Sequence, residues 1–125
     1  MPKFEQILTE SDRRKLIAQN RRIIRKALDG VDAETLKLYD QLIDDAASYA
    51  CAIHECSLLY MRDGLSEYYQ NGETQWGVKK SVAAELRVKY TATYQKLIMQ
   101  LASLLPSEDE KAAAKELLDF IRGGD

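Results

Sequence analysis

The chain has 125 residues, of which 46% are hydrophobic, 30% are charged, two are proline and six are glycine. This composition supports one domain with a real core and excludes collagen-like, Pro/Gly-rich and fully disordered classes. No apolar run approaches the about 18 residues of a membrane-spanning helix, and the N-terminus shows no signal-peptide core. We therefore expect a cytoplasmic protein without membrane contact, in which both cysteines are free thiols.

The net charge of −2 hides four blocks of alternating sign. Residues 1–30 carry a net charge of +4, residues 31–63 carry −5, residues 64–106 carry +2 and residues 107–125 carry −3. Charges sorted in this way indicate self-assembly or an anionic partner for the first block. We interpret residues 1–30 as a basic N-terminal helix, residues 31–106 as a helical-hairpin oligomerisation core, and residues 107–125 as an acidic C-terminal helix and tail.

The first predicted helix begins at Thr9 or Ser11, since either can cap it. It runs to Leu28 and stops at Gly30, where glycine can adopt the left-handed conformation. Its apolar side chains share one arc, and the opposite arc of about 140° is basic. The basic arc consists of Arg14, Lys15, Arg21, Arg22, Arg25 and Lys26. Guanidinium groups bind phosphate oxygens well, so this arc is a candidate DNA-binding surface. An acidic protein surface, such as a neighbouring copy, and plain solvation are the alternatives.

The second predicted helix is capped by Asp32 and meets no helix breaker before Gly64, which gives it about 31 residues. Two apolar stripes run along it, so it needs more than one packing partner. The first stripe is Leu36, Tyr39, Ile43, Ala46, Ala50 and Ile53, and the second is Leu38, Leu42, Tyr49, Ala52, Cys56 and Leu59. An acidic edge of Asp40, Asp44 and Asp45 is expected to be solvated or to face another subunit.

Residues 65–81 interrupt the helices. Asn71-Gly72 strongly favours a two-residue turn, and the residues around it suit strands, so we predict a β-hairpin. These flanking residues are Tyr68, Tyr69, Thr74 and Trp76. Aromatic side chains beside Lys79 and Lys80 make a second candidate DNA-binding surface by base stacking, although cross-strand packing is the more common role.

The third predicted helix begins near Ser81 and ends at Leu105, before Pro106. Its expected buried face is Ala83, Leu86, Tyr90, Leu97, Leu101 and Leu104. A fourth helix begins with a capping-box pattern at residues 107–110 and runs to about Ile121. We predict an all-α fold, in which a long antiparallel helix pair carries a β-hairpin at its tip, a basic N-terminal helix and a short C-terminal helix.

Catalytic and metal-binding chemistry finds little support in the sequence. His54 lies near Cys51 and Cys56, but the two cysteines are about 140° apart around a helix, so the three side chains cannot converge on a metal. No phosphate-binding glycine loop, HExxH motif or nucleophile elbow is present. We therefore predict a protein that is not an enzyme and has no catalytic residue, metal site or cofactor.

The middle of the chain carries a resemblance to a known family. A long helix that ends in EYYQNGETQWGVKKSVAAEL, a following helix that ends in KLIMQLASLLP and a short polar tail together resemble phage terminase small subunits of the compact, helical kind. The resemblance covers about residues 36–106 and is strongest over residues 65–106. Many members also carry an N-terminal helix-turn-helix, which one helix within residues 1–30 cannot supply, so we expect phosphate contacts of low sequence specificity.

The resemblance implies a non-enzymatic DNA-packaging factor in the host cell cytoplasm. Such proteins form homo-oligomeric rings, engage double-stranded viral DNA and deliver it to the large terminase subunit, which holds the ATPase and nuclease. The helix pair would then form the ring wall, the first helix would face DNA, and the C-terminal helix would contact the large subunit. The alternative is a helical protein–protein adaptor or virion scaffold protein whose basic helix docks an acidic protein surface.

Overall fold

The structure is a computed structural model that describes residues 6–70 and 76–122, with the backbone alone for residues 66–70 and 76–80. Its architecture is helical, as predicted. The helices are α1 (Glu10–Ala27), α2 (Ala33–Leu38), α3 (Asp40–Asp63), α4 (Val82–Ala102) and α5 (Ser107–Phe120). Two short strands, β1 (Ser66–Gln70) and β2 (Trp76–Lys80), lie between α3 and α4.

The four longer helices α1, α3, α4 and α5 run antiparallel in turn, and α5 returns to α1. They enclose one apolar core to which the N-terminal, middle and C-terminal segments all contribute. The largest fully buried side chains are Ile24, Leu28, Ile43, Ile53, Tyr94, Ile98, Leu101 and Leu117. The basic helix is therefore part of the bundle, and its position is set by packing on both sides of its apolar arc.

The first helix begins at the predicted cap and ends within one residue of the predicted Leu28, which is its C-cap. Thr9 is the N-cap, because its hydroxyl accepts a hydrogen bond from the amide of Asp12 at 3.1 Å and the Asp12 carboxylate accepts from the amide of Thr9 at 3.0 Å. The predicted left-handed stop at Gly30 is wrong, since α1 ends at Ala27 and Gly30 has no positive φ. A Cβ at Gly30 would lie 3.1 Å from the side chain of Leu105, so close packing favours glycine there.

The second predicted helix is divided, which corrects the expectation of one uninterrupted helix. Asp32 caps α2 by accepting from the amide of Thr35 at 2.8 Å, as predicted. Tyr39 then leaves the helical region, with φ −104° and ψ 13°, and α3 begins at the next residue. Leu36 packs against the core, whereas Leu38 is 82% exposed. No glycine or proline marks this break, and no side-chain hydrogen bond caps the start of α3.

The two apolar stripes of the second predicted helix find their partners within one chain. α3 packs against α1 and also against α4, where the rings of Tyr49 and Tyr90 lie 5.6 Å apart between centroids. From the first stripe, Ile43, Ala46, Ala50 and Ile53 are all buried. The prediction of more than one packing partner is confirmed, and a second subunit is not needed to supply it.

The buried face of α4 is offset from the predicted one. Tyr94 and Ile98 are fully buried, although neither belongs to the predicted face, and of that face only Leu101 is fully buried. The Tyr94 hydroxyl donates to the carbonyl of Leu117 at 2.9 Å and so joins α4 to α5. Burial raises the pKa of the Tyr94 phenol well above its usual value, so the hydroxyl stays a donor.

The helices α4 and α5 begin in different ways. Ser81 caps α4, with its hydroxyl accepting from the amide of Ala84 at 3.4 Å. The predicted capping box of α5 is wrong, since Pro106 is the N-cap and makes no side-chain cap hydrogen bond. The amide of Glu110 instead bonds to the Pro106 carbonyl at 3.0 Å, which starts the helix without help from Ser107.

β1 and β2 pair antiparallel, with Ser66 opposite Lys80 and Gln70 opposite Trp76. The predicted Asn71-Gly72 turn lies outside the described residues, as do the side chains of both strands. The hairpin with its turn therefore stays a prediction. The backbone amide of Ser81 donates to the carbonyl of Leu65 at 2.7 Å, which brings the end of α3 and the start of α4 together.

Candidate nucleic-acid interface

Two arginines of the predicted basic arc are paired with carboxylates of the same chain. The Nε of Arg21 lies 2.5 Å from Oδ1 of Asp44, and the guanidinium of Arg25 pairs with Asp40. The antiparallel packing of α1 on α3 aligns the two pairs, which are one helical turn apart on each helix. The acidic edge at Asp40 and Asp44 therefore faces α1 of its own chain, which corrects the expectation that it faces solvent or another subunit.

Two further arginines of α1 also have carboxylate partners. Arg14, in the predicted basic arc, is bound to Glu10 one turn earlier at 2.8 Å, with both side chains 78% exposed. Arg13, outside the arc, binds Glu55 of α3 through two hydrogen bonds of 3.0 and 2.8 Å. These hydrogen bonds raise the pKa of Arg13 above its usual value. Arg13 thus joins α1 to α3, at the opposite end from Arg25.

Three basic side chains of α1 remain exposed without such a partner. Lys15, Arg22 and Lys26 make no ion pair with any residue that the structure describes. At 100° per residue they lie within about 40° of one another, directly opposite the buried Ile24. With a rise of 1.5 Å per residue they extend over about 16 Å of the helix surface. We call these three residues the basic stripe.

The basic stripe has the dimensions of a phosphate-binding surface. Successive phosphates of one DNA strand advance by about 3.4 Å along the duplex axis, so about 16 Å spans roughly five of them. Three cations along that line can each contact a separate phosphate without competing for one site. Contacts of this kind position a protein on DNA and carry no base information, which agrees with the low sequence specificity expected above.

Lys79 and Lys80 lie in β2, where Lys79 is opposite Glu67 and Lys80 is opposite Ser66 in the backbone register. Their side chains, like those of Tyr68 and Tyr69, are not described by the structure. The structure therefore places three residues of the predicted arc, the basic stripe, along one side of α1. The second candidate surface, on the two strands, stays a prediction.

Cys51 and His54 line the same cleft, whereas Cys56 is not among the residues that line it. Both cysteines are buried free thiols, as predicted, and His54 is exposed. Burial raises the pKa of both thiols, so they are protonated and uncharged at neutral pH. Across residues 6–70 and 76–122, no cluster of three or more His, Cys, Asp or Glu has the arrangement to hold a metal ion.

The paired arginines are the feature that sequence reasoning missed, although a signal was present. Arg21 and Arg25 are four residues apart, and so are Asp40 and Asp44. When two helices pack antiparallel, the first residue of one pair meets the second residue of the other. Arg21 therefore meets Asp44, and Arg25 meets Asp40. Counting charges on one helix alone therefore overstates how many are available to a ligand.

Comparisons with known protein families, with curated proteins and with solved structures find no match to this chain. Among the described helices, none combines the length and apolar character needed to cross a membrane.

Proposed function

We propose that this chain is the non-enzymatic DNA-binding subunit of a viral DNA-packaging terminase. It engages double-stranded DNA as a homo-oligomeric ring in the host cell cytoplasm and delivers the DNA to the large terminase subunit. The basic stripe supports the DNA contact, and the resemblance of residues 36–106 to phage terminase small subunits supports the packaging role.

The observation that carries the DNA contact is that no side chain of the basic stripe forms an ion pair with a described residue, although Asp12 interacts electrostatically with Lys15. A solvated helix face usually mixes its signs, whereas Lys15, Arg22 and Lys26 form a line of three positive charges on the side of α1 opposite the core. Lysine and arginine that neutralise phosphates release condensed counterions, which favours binding to a polyanion over binding to single anions. DNA is the polyanion that also fits the length of the stripe.

Exposed apolar side chains support the assembly. Met61 and Leu65 at the end of α3 are 79% and 60% exposed, and Val82 at the start of α4 is 47% exposed. The hydrogen bond between Ser81 and Leu65 holds these two chain segments together. A group of exposed apolar side chains marks an interaction site, so this end of the α3–α4 pair is where we place the contact between subunits.

The adaptor alternative uses the same three charges on a different partner. An acidic helix that lies along α1 could place carboxylates against Lys15, Arg22 and Lys26. DNA phosphates could contact the same three side chains. The two functions differ in their response to salt, because only a polyanion with condensed counterions gives a steep, linear loss of log affinity with log salt.

The test is binding of the intact protein to a fluorescent DNA duplex at several salt concentrations. Three phosphate contacts for each bound protomer predict a slope of about −2.7 in log affinity against log salt, and a larger slope where several protomers contact the duplex. Absence of binding at the lowest salt would contradict the DNA role and leave the adaptor. Native mass spectrometry tests the ring separately, and a monomer at micromolar concentration would contradict it.

A further inference from the structure

A cleft of about 400 Å³ lies between α1, α3, α4 and the end of α5. Its volume is within the range of about 300–1,000 Å³ that is typical of small-molecule sites. Leu16, Phe120 and Ile121 form part of an apolar wall, and Arg87 and Arg122 contribute guanidinium groups. No aspartate or glutamate is among the described residues that line it. The cleft is thus positively charged and partly apolar.

Arg87 is the most informative residue of the cleft. It is half-buried, and its Nε donates to the hydroxyl of Ser57 at 2.9 Å, while that hydroxyl donates to the carbonyl of Ile53 at 3.0 Å. These bonds fix the plane of the guanidinium and leave its terminal N–H groups available. Among the residues that the structure describes, no carboxylate pairs with Arg87. A cation that has lost part of its hydration without a counter-charge is stabilised by an anionic ligand.

The surroundings of Arg87 leave its positive charge largely uncompensated. Arg122 lines the same cleft and forms a solvent-exposed ion pair with Asp119, whose Oδ1 lies 3.7 Å from Nη1. The buried thiol of Cys51 has a raised pKa and carries no charge at neutral pH. The carboxylate of Glu55, which acts electrostatically on that thiol, is itself bound to Arg13.

We propose that this cleft binds a small organic anion, a carboxylate or phosphate group joined to an apolar body. Arg87 and Arg122 hold the charged group through charge-assisted hydrogen bonds, and the imidazole of His54 supplies a further N–H donor at the rim. The apolar body lies against Leu16, Phe120 and Ile121. This site is separate from the basic stripe and does not depend on the proposed DNA function.

The test is a titration of the ¹⁵N-labelled protein with phenyl phosphate and with benzoate, followed by NMR. We expect saturable shifts of the Arg87 side-chain Nε–H signal and of the backbone signals of Ser57 and Ile121. Arg87→Gln and the rim variant Arg122→Gln should each weaken binding by about tenfold, because a charge-assisted hydrogen bond is lost. Arg122 is exposed, so the second variant keeps the test valid if the first one unfolds.

The control is Lys96→Gln, which removes one exposed cation of α4 outside both the cleft and the basic stripe and should leave binding of both probes unchanged. Equal weakening by Lys96→Gln would show general charge attraction and overturn the site. No saturable shift at millimolar probe, or inorganic phosphate bound as tightly as phenyl phosphate, would overturn the organic ligand. Shifts of Arg87 induced by duplex DNA and competed by phenyl phosphate would reassign the cleft to a DNA phosphate.

Discussion

Two flanks of the same helix carry similar charges and meet different surroundings. Arg21 and Arg25 face α3, where Asp44 and Asp40 neutralise them. The basic stripe, defined by Lys15, Arg22 and Lys26, faces away from the bundle with no carboxylate partner among the described residues. The net charge of a helix therefore does not measure its capacity to bind an anion, because packing decides which of its charges already have a carboxylate partner.

The paired arginines add little to stability. A half-exposed ion pair such as Arg21–Asp44 contributes about 1 kcal/mol or less to folding, because solvent screens it. The packing of the apolar arc sets the position of α1 and leaves the basic stripe facing outwards.

Removing the basic stripe should have the largest effect. The triple variant Lys15→Gln/Arg22→Gln/Lys26→Gln is expected to lose about two orders of magnitude in DNA affinity at 0.1 M salt, because three phosphate contacts are lost. Fluorescence anisotropy with a DNA duplex measures this loss. The matched control is Arg14→Gln/Arg21→Gln/Arg25→Gln, which has the same net charge. Equal losses in the two triple variants would show that pairing within the chain does not matter.

Removing the acids of the paired flank should increase DNA binding. Asp40→Asn/Asp44→Asn releases the guanidinium groups of Arg25 and Arg21, so the slope of log affinity against log salt should steepen by up to about 1.8. Asp45→Asn is the control, since Asp45 accepts a hydrogen bond only from Gln41 of its own helix among the described residues. The same salt titration measures all three proteins, and an unchanged slope in the double variant would contradict the masking of these arginines.

A change in the core should lower stability and leave DNA binding alone. Tyr94→Phe removes the hydrogen bond to the Leu117 carbonyl and is expected to cost about 1 kcal/mol of unfolding free energy. Urea denaturation measures the stability, and the DNA affinity at fixed salt provides the second readout. A lower DNA affinity in a variant that remains fully folded would mean that the bundle core, and not only the surface of α1, controls binding.

The N-cap of α1 predicts a small pH effect. The amide and hydroxyl of Thr9 hydrogen-bond to Asp12 and lower the pKa of its carboxyl below the ordinary 3.8. Its contribution to stability is therefore complete above pH of about 4 and is lost as the pH falls through the lowered value. Asp12→Asn should be less stable than the natural protein at pH 7, and the difference in melting temperature should shrink towards pH 2.

The control for the pH effect is Asp109→Asn in the first turn of α5, a helix that has no side-chain cap hydrogen bond. The difference in melting temperature between this variant and the natural protein should change less between pH 7 and pH 2. A gap between Asp12→Asn and the natural protein that stays constant across this range would mean that the carboxylate of Asp12 does not stabilise the start of α1.

Local chemistry predicted the starts of α1 and α2. Thr9 and Asp32 cap these helices through hydrogen bonds that a side chain makes with an amide a few residues later, so a short segment of sequence contains all the information. The break at Tyr39 has no such signal. No glycine, proline or capping side chain lies at this position, so the sequence nearby does not reveal the break.

Apolar periodicity located the buried face of α3 but not that of α4. Apolar residues surround most of α4, and Val82, Val88 and Met99 remain exposed, so the pattern cannot select one face. The helix lies between α3 and α5, and the buried positions Tyr94 and Ile98 follow from that placement. The sequence also could not show which arginines of the basic arc are available to DNA, because their pairing with α3 depends on the tertiary fold.

The most direct test of the basic stripe is lysine footprinting of the intact protein with and without duplex DNA. Lysine acetylation, read by mass spectrometry, reports the accessibility of every lysine whatever the oligomeric state. We predict that DNA protects Lys15 and Lys26, while Lys96 and Lys115, exposed on α4 and α5, react as before. Protection of Lys96 or Lys115 with unchanged reactivity of Lys15 and Lys26 would contradict the assignment of the DNA surface to α1.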